Sequence, residues 1–377
     1  MARALARRWK LFVLPAILVP VTLGLRVAGV SDLAVFAAAG VAVIPLAHLM
    51  GIATEELGKR AGPGIGGLLN ATFGNATELI IALVALSRAA TLAATGDPAD
   101  ARSADGLVEV VKASITGSII GNILLVLGLS MLVGGVRHKT QKFSVRAAEL
   151  QVTLLVLAII ALVMPELFQI SYEGAGGVPP GLPNVSLGIS VILLVAYVLG
   201  LVFSLHTHKD VFNPVTHEQD KPLWSRNFAL GVLLASTALV GLVAEVLVGA
   251  VEGVTPALGI PRPELFMGVI VIAIIGNAAE HGAAIMMAWK NKMDLSVGIA
   301  TISSVQIALF VTPVLVLASL AFGRPLTLAF EVFELVAIIL SVANLAVLAK
   351  DGETNWYEGV LLLLVYAIIG VGFYFHP

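Results

Sequence analysis

Two pentapeptides carry the chemistry of this chain, GNATE at residues 74 to 78 and GNAAE at 276 to 280. Each sets an acid, Glu78 or Glu280, into a stretch otherwise made of Gly, Ala, Leu, Ile and Val. A carboxylate in such surroundings is costly and is a functional group by default. Asn75 and Asn277 stand three residues before the acids and so share their helix faces. Gly74 and Gly276 head the motifs, where a glycine permits a helix break with backbone carbonyls as ligands, or a close helix contact. A second polar cluster follows each motif, SITGSIIGN at 114 to 122 and TISSVQIALFVTP at 301 to 313. Ser118 and Asn122 share a face by i,i+4 spacing, and Ser303 and Gln306 by i,i+3. Ser114, Asn122 and Ser304 stand equally between ligand and helix-contact roles.

Carboxylates, amide carbonyls and hydroxyls in a chain with no cysteine suit a hard cation, Ca²⁺ before Mg²⁺ where many protein oxygens are offered in a flexible cage. Two facing glutamates neutralise one divalent ion. When the ion leaves, two like charges remain together in a low-dielectric place, and protons take its position. Ca²⁺ and H⁺ then compete for the same oxygens. A protein that changes its open side only when the pair is neutralised exchanges one for the other. No resident cofactor is called for, only the transported Ca²⁺ and H⁺.

The elements that must position these groups are membrane spans. The chain has 377 residues, 58% hydrophobic and only 12% charged, about half the charge of a soluble protein. Apolar runs of roughly 20 residues, the length that crosses a bilayer, recur from end to end. Eleven spans follow, at about 9–28, 32–53, 64–88, 107–135, 146–168, 184–206, 227–251, 263–289, 294–322, 327–349 and 356–376. The N-terminal segment has the basic and apolar regions of a signal peptide but no clear cleavage site after them, and reads as a retained first span. With the N-terminus inside, inner segments hold 16 Lys and Arg and outer ones six, as cytoplasmic loops should. The net charge of −2 points neither to nucleic acid nor to a polybasic lipid anchor. The partners are the ions and the lipid bilayer, with a homo-oligomer left open.

Glu78 lies in the third span and Glu280 in the eighth, so five spans separate the copies and their directions are opposed. The expected architecture is an all-α polytopic membrane protein with eleven transmembrane helices, one extra N-terminal span (1–31) plus two inverted five-helix repeats (32–206 and 227–377). Residues 207–226 form a polar cytoplasmic linker, read as a solvated connection before a regulatory cation site.

At the residue level, GNATELIIALVAL together with GNAAEHGAAIMMAWKNKMDLSVGIATISSVQIALFVTPVLVL resembles the Ca²⁺/H⁺ antiporters of the Ca²⁺:cation antiporter superfamily, over essentially the whole chain. The resemblance implies that Glu78 and Glu280 are the central ion-binding carboxylates and that Asn75 and Asn277 line the same site. It implies the same for Ser118, Ser303 and Gln306. His281 matches the histidine that follows the second glutamate in proton-coupled members, and stands between a proton-coupling and a packing role. Gly121 occupies a place where a serine is common, and the linker is less acidic than in many relatives. Sodium-coupled relatives carry extra acids in the second clusters, whereas 114–122 and 301–306 hold none.

Glu55 and Glu245 precede the motif of each half and are candidates for an ion path. For Glu55 a solvated helix end is the plainer reading, while Glu245 sits deeper. Glu331 and Glu334 read as interfacial acids at the start of a span, and the GxxxG at Gly117 to Gly121 as helix packing. The expected function is secondary transport of Ca²⁺ against H⁺ by alternating access, in a prokaryotic cytoplasmic membrane. Na⁺ or K⁺ coupling is the nearest alternative and a cation channel a more distant one. An intramembrane hydrolase would need a Ser and His within bonding reach and an oxyanion site, of which the sequence gives no sign, so no enzyme activity is expected.

Overall fold

The computed structural model describes residues 2–61, 66, 69, 72–172, 179–208 and 222–377. Nine of its helices are long and apolar enough to cross a membrane, and two shorter apolar helices accompany them, among the described residues. In chain order they are α1 (Ala2–Val27), α2 (Asp32–Ala61), α3 (Ala76–Ala93), α4 (Pro98–His138), α5 (Val145–Tyr172), α6 (Leu182–Thr207), α7 (Arg226–Leu258), α8 (Pro263–Trp289), α9 (Met293–Ala321), α10 (Val332–Leu348) and α11 (Trp356–Phe375). The chain is an integral multi-pass membrane protein, and these helices follow the apolar runs of the sequence. The expected third span at 64–88 and the linker at 207–226 each lie partly outside the described residues.

Local sequence explains where the helices start. Asp97 accepts the backbone N–H of Ala99 at 2.7 Å and Pro98 opens α4, the arrangement that serves the orphan donors of a first turn. Ser225 caps α7 through the N–H of Phe228. Reciprocal capping boxes join Glu331 with Glu334 at α10 and Asn355 with Glu358 at α11. Prolines inside α1, α2 and α5 are tolerated, as is usual where neighbouring helices serve the freed backbone groups.

The core lies between α4 and α9, which have the largest buried shares, while α6 and α11 have the smallest. Both central helices change pitch: α4 passes through a π-helical segment at Gly121–Val126, α9 through one at Ile307–Val311. A third lies in α8 at Met267–Ile272. Such wide turns concentrate at functional sites. The first two lie at the end of and within the second polar clusters, and the third shortly before the second acidic motif.

α4 and α8 approach backbone to backbone. A Cβ on Gly117 would lie 2.1 Å from the carbonyl oxygen of Val269, and one on Gly268 would lie 2.4 Å from Cβ of Ala113. Only the first glycine of the expected GxxxG packs in this way, since nothing lies within 4 Å of a Cβ on Gly121, which opens the π segment instead.

Among the described residues, one two-stranded ribbon departs from an all-helical plan. Residues Thr140–Lys142 (β1) and Glu353–Asn355 (β2) pair antiparallel, with Gln141 opposite Thr354. Gln141 donates to the carbonyl of Ala288 at 2.8 Å and to Oδ1 of Asn291 at 3.0 Å. The ribbon thus ties the end of α4, the end of α8 and the start of α11 at one face.

Candidate functional site

The two motifs share a sequence and differ in backbone. Gly74 and Asn75 form a turn, and α3 begins at Ala76 with Asn75 at its cap position and Glu78 in its first turn. Its positive helix end therefore faces the acid. Gly276 lies inside unbroken α8 and is not a break. The irregularity of this half comes one turn earlier, in the π segment at Met267–Ile272. What Gly276 supplies is room: a Cβ there would lie 2.9 Å from Cγ of Glu78. α8 thus presents bare backbone at Gly276 to the first acid, one turn before its own acid Glu280.

Polar groups of α3, α4, α8 and α9 meet at one place, and Ser303 is its hub. Its hydroxyl lies 2.6 Å from Oε2 of Glu280 and 2.8 Å from Oδ1 of Asn75, both as acceptors, and receives Nδ2 of Asn122 at 3.1 Å. A hydroxyl has one hydrogen, so Ser303 serves one of the two acceptors at a time. If Glu280 carries a proton it can donate to Ser303, which frees the serine hydrogen for Asn75.

The amides cross between the halves in matching fashion. Asn75 donates from Nδ2 to Oε1 of Gln306 at 2.6 Å, and Asn277 donates from Nδ2 to Oγ of Ser118 at 2.8 Å. Each motif asparagine therefore bonds to the second polar cluster of the opposite half. Glu78 and Glu280 are close enough for their charges to interact.

Several oxygens are left over. Both carboxylate oxygens of Glu78 and Oδ1 of Asn277 are buried without a hydrogen-bond partner among the described residues. Buried acceptors in this condition are rare and ask for an explanation. Three unsatisfied oxygens, two of them anionic, beside a second carboxylate make a set that a hard cation would complete.

The remaining expected residues fall at different distances from this centre. His281 follows Glu280, and its Nε2 is buried and without a partner among the described residues. Glu55 is exposed and pairs with Lys59 at 2.6 Å on its own helix, the role of a solvated helix end. Glu245 lines an open groove of about 450 Å³ between α3 and α7, with Leu83, Val84, Ser87, Arg88 and Thr91. Arg88 in this groove is held by Glu252 at 2.5 Å. Of the three polar residues with open roles, Asn122 joins the hub, whereas Ser114 and Ser304 bond to carbonyls of their own helices at Val111 and Ala300. The signal for Asn122 was its shared face with Ser118.

Fold and site together define a helical membrane protein in which buried polar groups from four helices converge at one place. The pattern of the sodium/calcium exchanger protein family matches residues 31–206 and 228–375, and the chain belongs to that family. A Ca²⁺/H⁺ antiporter of Synechocystis sp. is 42% identical, covering 98% of each chain. The Ca²⁺/H⁺ antiporter ChaA of Bacillus subtilis is 45% identical over 90% of this chain and 91% of its own. The solved structure of native YfkE superposes with a TM-score of 0.79 at 40% identity, over 97% of this chain and 99% of that one.

Proposed function

We propose that the protein is a secondary active transporter that exchanges Ca²⁺ for H⁺ across a prokaryotic cytoplasmic membrane, with its N-terminus in the cytoplasm. Relatives named Ca²⁺/H⁺ antiporters at 42% and 45% identity support the exchange. The observation that carries the site is the convergence on Ser303 of Glu280, Asn75 and Asn122, with the bare carboxylate of Glu78 alongside.

Ca²⁺ is bound by Glu78 and Glu280, with oxygens of Asn75, Asn277, Ser118, Ser303 and Gln306 completing or orienting its shell. Two unit charges about 4 Å apart at an effective dielectric of about 20 repel by roughly 4 kcal/mol. That is close to a thousandfold against leaving such a pair empty and ionised. The pair therefore passes between a Ca²⁺-loaded and a protonated state, and only these two permit the change of open side. His281 takes part in moving the protons, beside Glu280. Glu245 lies on the ion path through the groove between α3 and α7. The halves are five-helix repeats, 32–206 and 227–377, with 207–226 as linker and 1–31 as an added span.

The test is Ca²⁺ uptake into inverted membrane vesicles driven by a pH gradient. Replacement Glu78→Gln or Glu280→Gln should abolish uptake in each case, and full uptake in either variant overturns the assignment. Uptake driven by a Na⁺ or K⁺ gradient without a pH gradient would replace the coupling ion and leave the Ca²⁺ site standing.

A further inference from the structure

The open groove between α3 and α7 holds an arginine as well as acids. Glu245, Gly249 and Glu252 follow at i, i+4 and i+7 on α7 and so share one face, with the two acids about 10 Å apart along the axis. Arg88 of α3 reaches onto that face. Its Nε donates to Oε1 of Glu252 at 2.5 Å, and its Nη1 lies 3.6 Å from where a Cβ of Gly249 would stand, over the glycine that separates the acids. Glu245, exposed on the groove wall, is in no ion pair among the described residues.

A second arginine joins this rim. Nη2 of Arg26, at the end of α1, lies 3.7 Å from the same Cβ position, and Arg26 pairs with Asp32 at 3.3 Å. Asp32 rests on Gly253, where a Cβ would collide with its carboxylate. Two guanidiniums, each tethered by its own acid, therefore meet over Gly249, one helical turn beyond Glu245. Of the five faces, three acids and two cations, only Glu245 is left without a partner of opposite charge. Charged groups within a membrane span belong in water-filled space and not against lipid. The groove, of about 450 Å³ and with the exposed residues Ser87 and Thr91 on its wall, supplies that space.

We propose that Arg88 sets how firmly this groove holds Ca²⁺: parked on Glu252, it leaves Glu245 free to attract the ion and supplies the positive charge that keeps the attraction weak. The inference rests on the proposed ion path through Glu245. A lone carboxylate in a recess of reduced dielectric would hold a divalent ion and delay its release, whereas a guanidinium one turn away offsets part of that pull. Glu252 has the complementary task, since it keeps Arg88 from closing onto Glu245.

The test uses the full chain carrying Glu78→Gln and Glu280→Gln, so that Ca²⁺ at the proposed transport site takes no part in the reading and failure of that site leaves the result unaffected. The chain has no cysteine, so Ser87→Cys places a single thiol on the groove wall. In right-side-out vesicles at constant ionic strength, its rate of reaction with a membrane-impermeant cationic methanethiosulfonate is followed as Ca²⁺ is raised. The thiol should react, Ca²⁺ should slow the reaction, and Glu245→Gln should remove the slowing. Arg88→Gln should lower the Ca²⁺ concentration for half effect by roughly two- to fivefold, the scale of a part-exposed ion pair, and Glu252→Gln should raise it. A bridge with a structural role alone would make these two variants act alike, because each breaks the same pair, and that result overturns the proposal. An unreactive thiol overturns it as well, since the groove would then be closed to outer water. Should Arg88→Gln fail to fold, Glu252→Gln decides, and an unchanged or lowered half-effect concentration is the negative result.

Discussion

Ser303 shows how much of the account rests on single hydrogen atoms. Its hydroxyl has two acceptors within 2.8 Å, Glu280 and Asn75, and one donor in Asn122. Ser303→Ala removes a bond to a charged group, a loss of about 1.5–3 kcal/mol. Ca²⁺ affinity should fall roughly 10- to 150-fold with the fold intact, as a binding isotherm would read. Gly276 makes a sterner demand, since a methyl group there meets Cγ of Glu78 at 2.9 Å. Crowding of this kind costs about 1–3 kcal/mol, and here it falls on the acid itself. Gly276→Ala should therefore weaken Ca²⁺ binding about tenfold or more. Gly282→Ala, on the same helix with nothing within 4 Å, should leave it unchanged. Equal behaviour of the two glycine variants would remove the close approach from the argument.

At the level of elements, the acids are held where they are by the crossing of α4 and α8. Gly117→Ala drives a methyl group onto the carbonyl of Val269 and can be accommodated only if the helices part, whereas Gly121→Ala meets nothing within 4 Å. The first should lower the melting temperature clearly, by the equivalent of about 1–3 kcal/mol, and the second should be near neutral, as thermal denaturation in detergent would show. The spans were legible in the sequence because each is an unbroken apolar run, and the acids because the pentapeptides nearly repeat. The backbone difference between the pentapeptides was not legible. Identical Gly-Asn pairs give a turn at 74–75 and a continuous helix at 276–277, and the irregularity of the second half lies earlier, in a wide turn at 267–272 that no residue type announces. The ribbon of β1 and β2 was equally hidden, since strands of three residues, TQK and ETN, carry no periodicity. Lys112 was placed by counting charges, and counting does not see that a lysine within a helix can turn to a neighbouring loop.

For the whole molecule, α2 makes its most extensive contacts with α7, the helix that follows the linker. The end of that linker is clasped to α2. Glu56, 4% exposed, accepts the backbone N–H groups of Leu223 and Trp224 at 2.6 Å each, and Arg60 donates to the carbonyl of Trp224 at 3.1 Å. Glu56→Ala leaves two amide donors without their acceptor, a loss of about 2 kcal/mol or more. Tryptic cleavage after Arg226, which is exposed just past the clasp, should quicken in that variant, read as the rate of appearance of the two fragments this cut gives. An unchanged rate would mean that the clasp does not hold the linker end. Such a clasp joins the linker end to the packed pair of α2 and α7.

The central claim is that one pair of carboxylates holds Ca²⁺ and protons in turn. Ca²⁺ added to the purified protein in weakly buffered solution, followed with a pH indicator, tests it most directly. The wild-type protein should release protons in proportion to the Ca²⁺ it binds, and the Glu78→Gln/Glu280→Gln protein should neither bind Ca²⁺ nor release protons. Ca²⁺ binding by the wild-type protein without proton release, or undiminished binding by the double variant, would contradict the account.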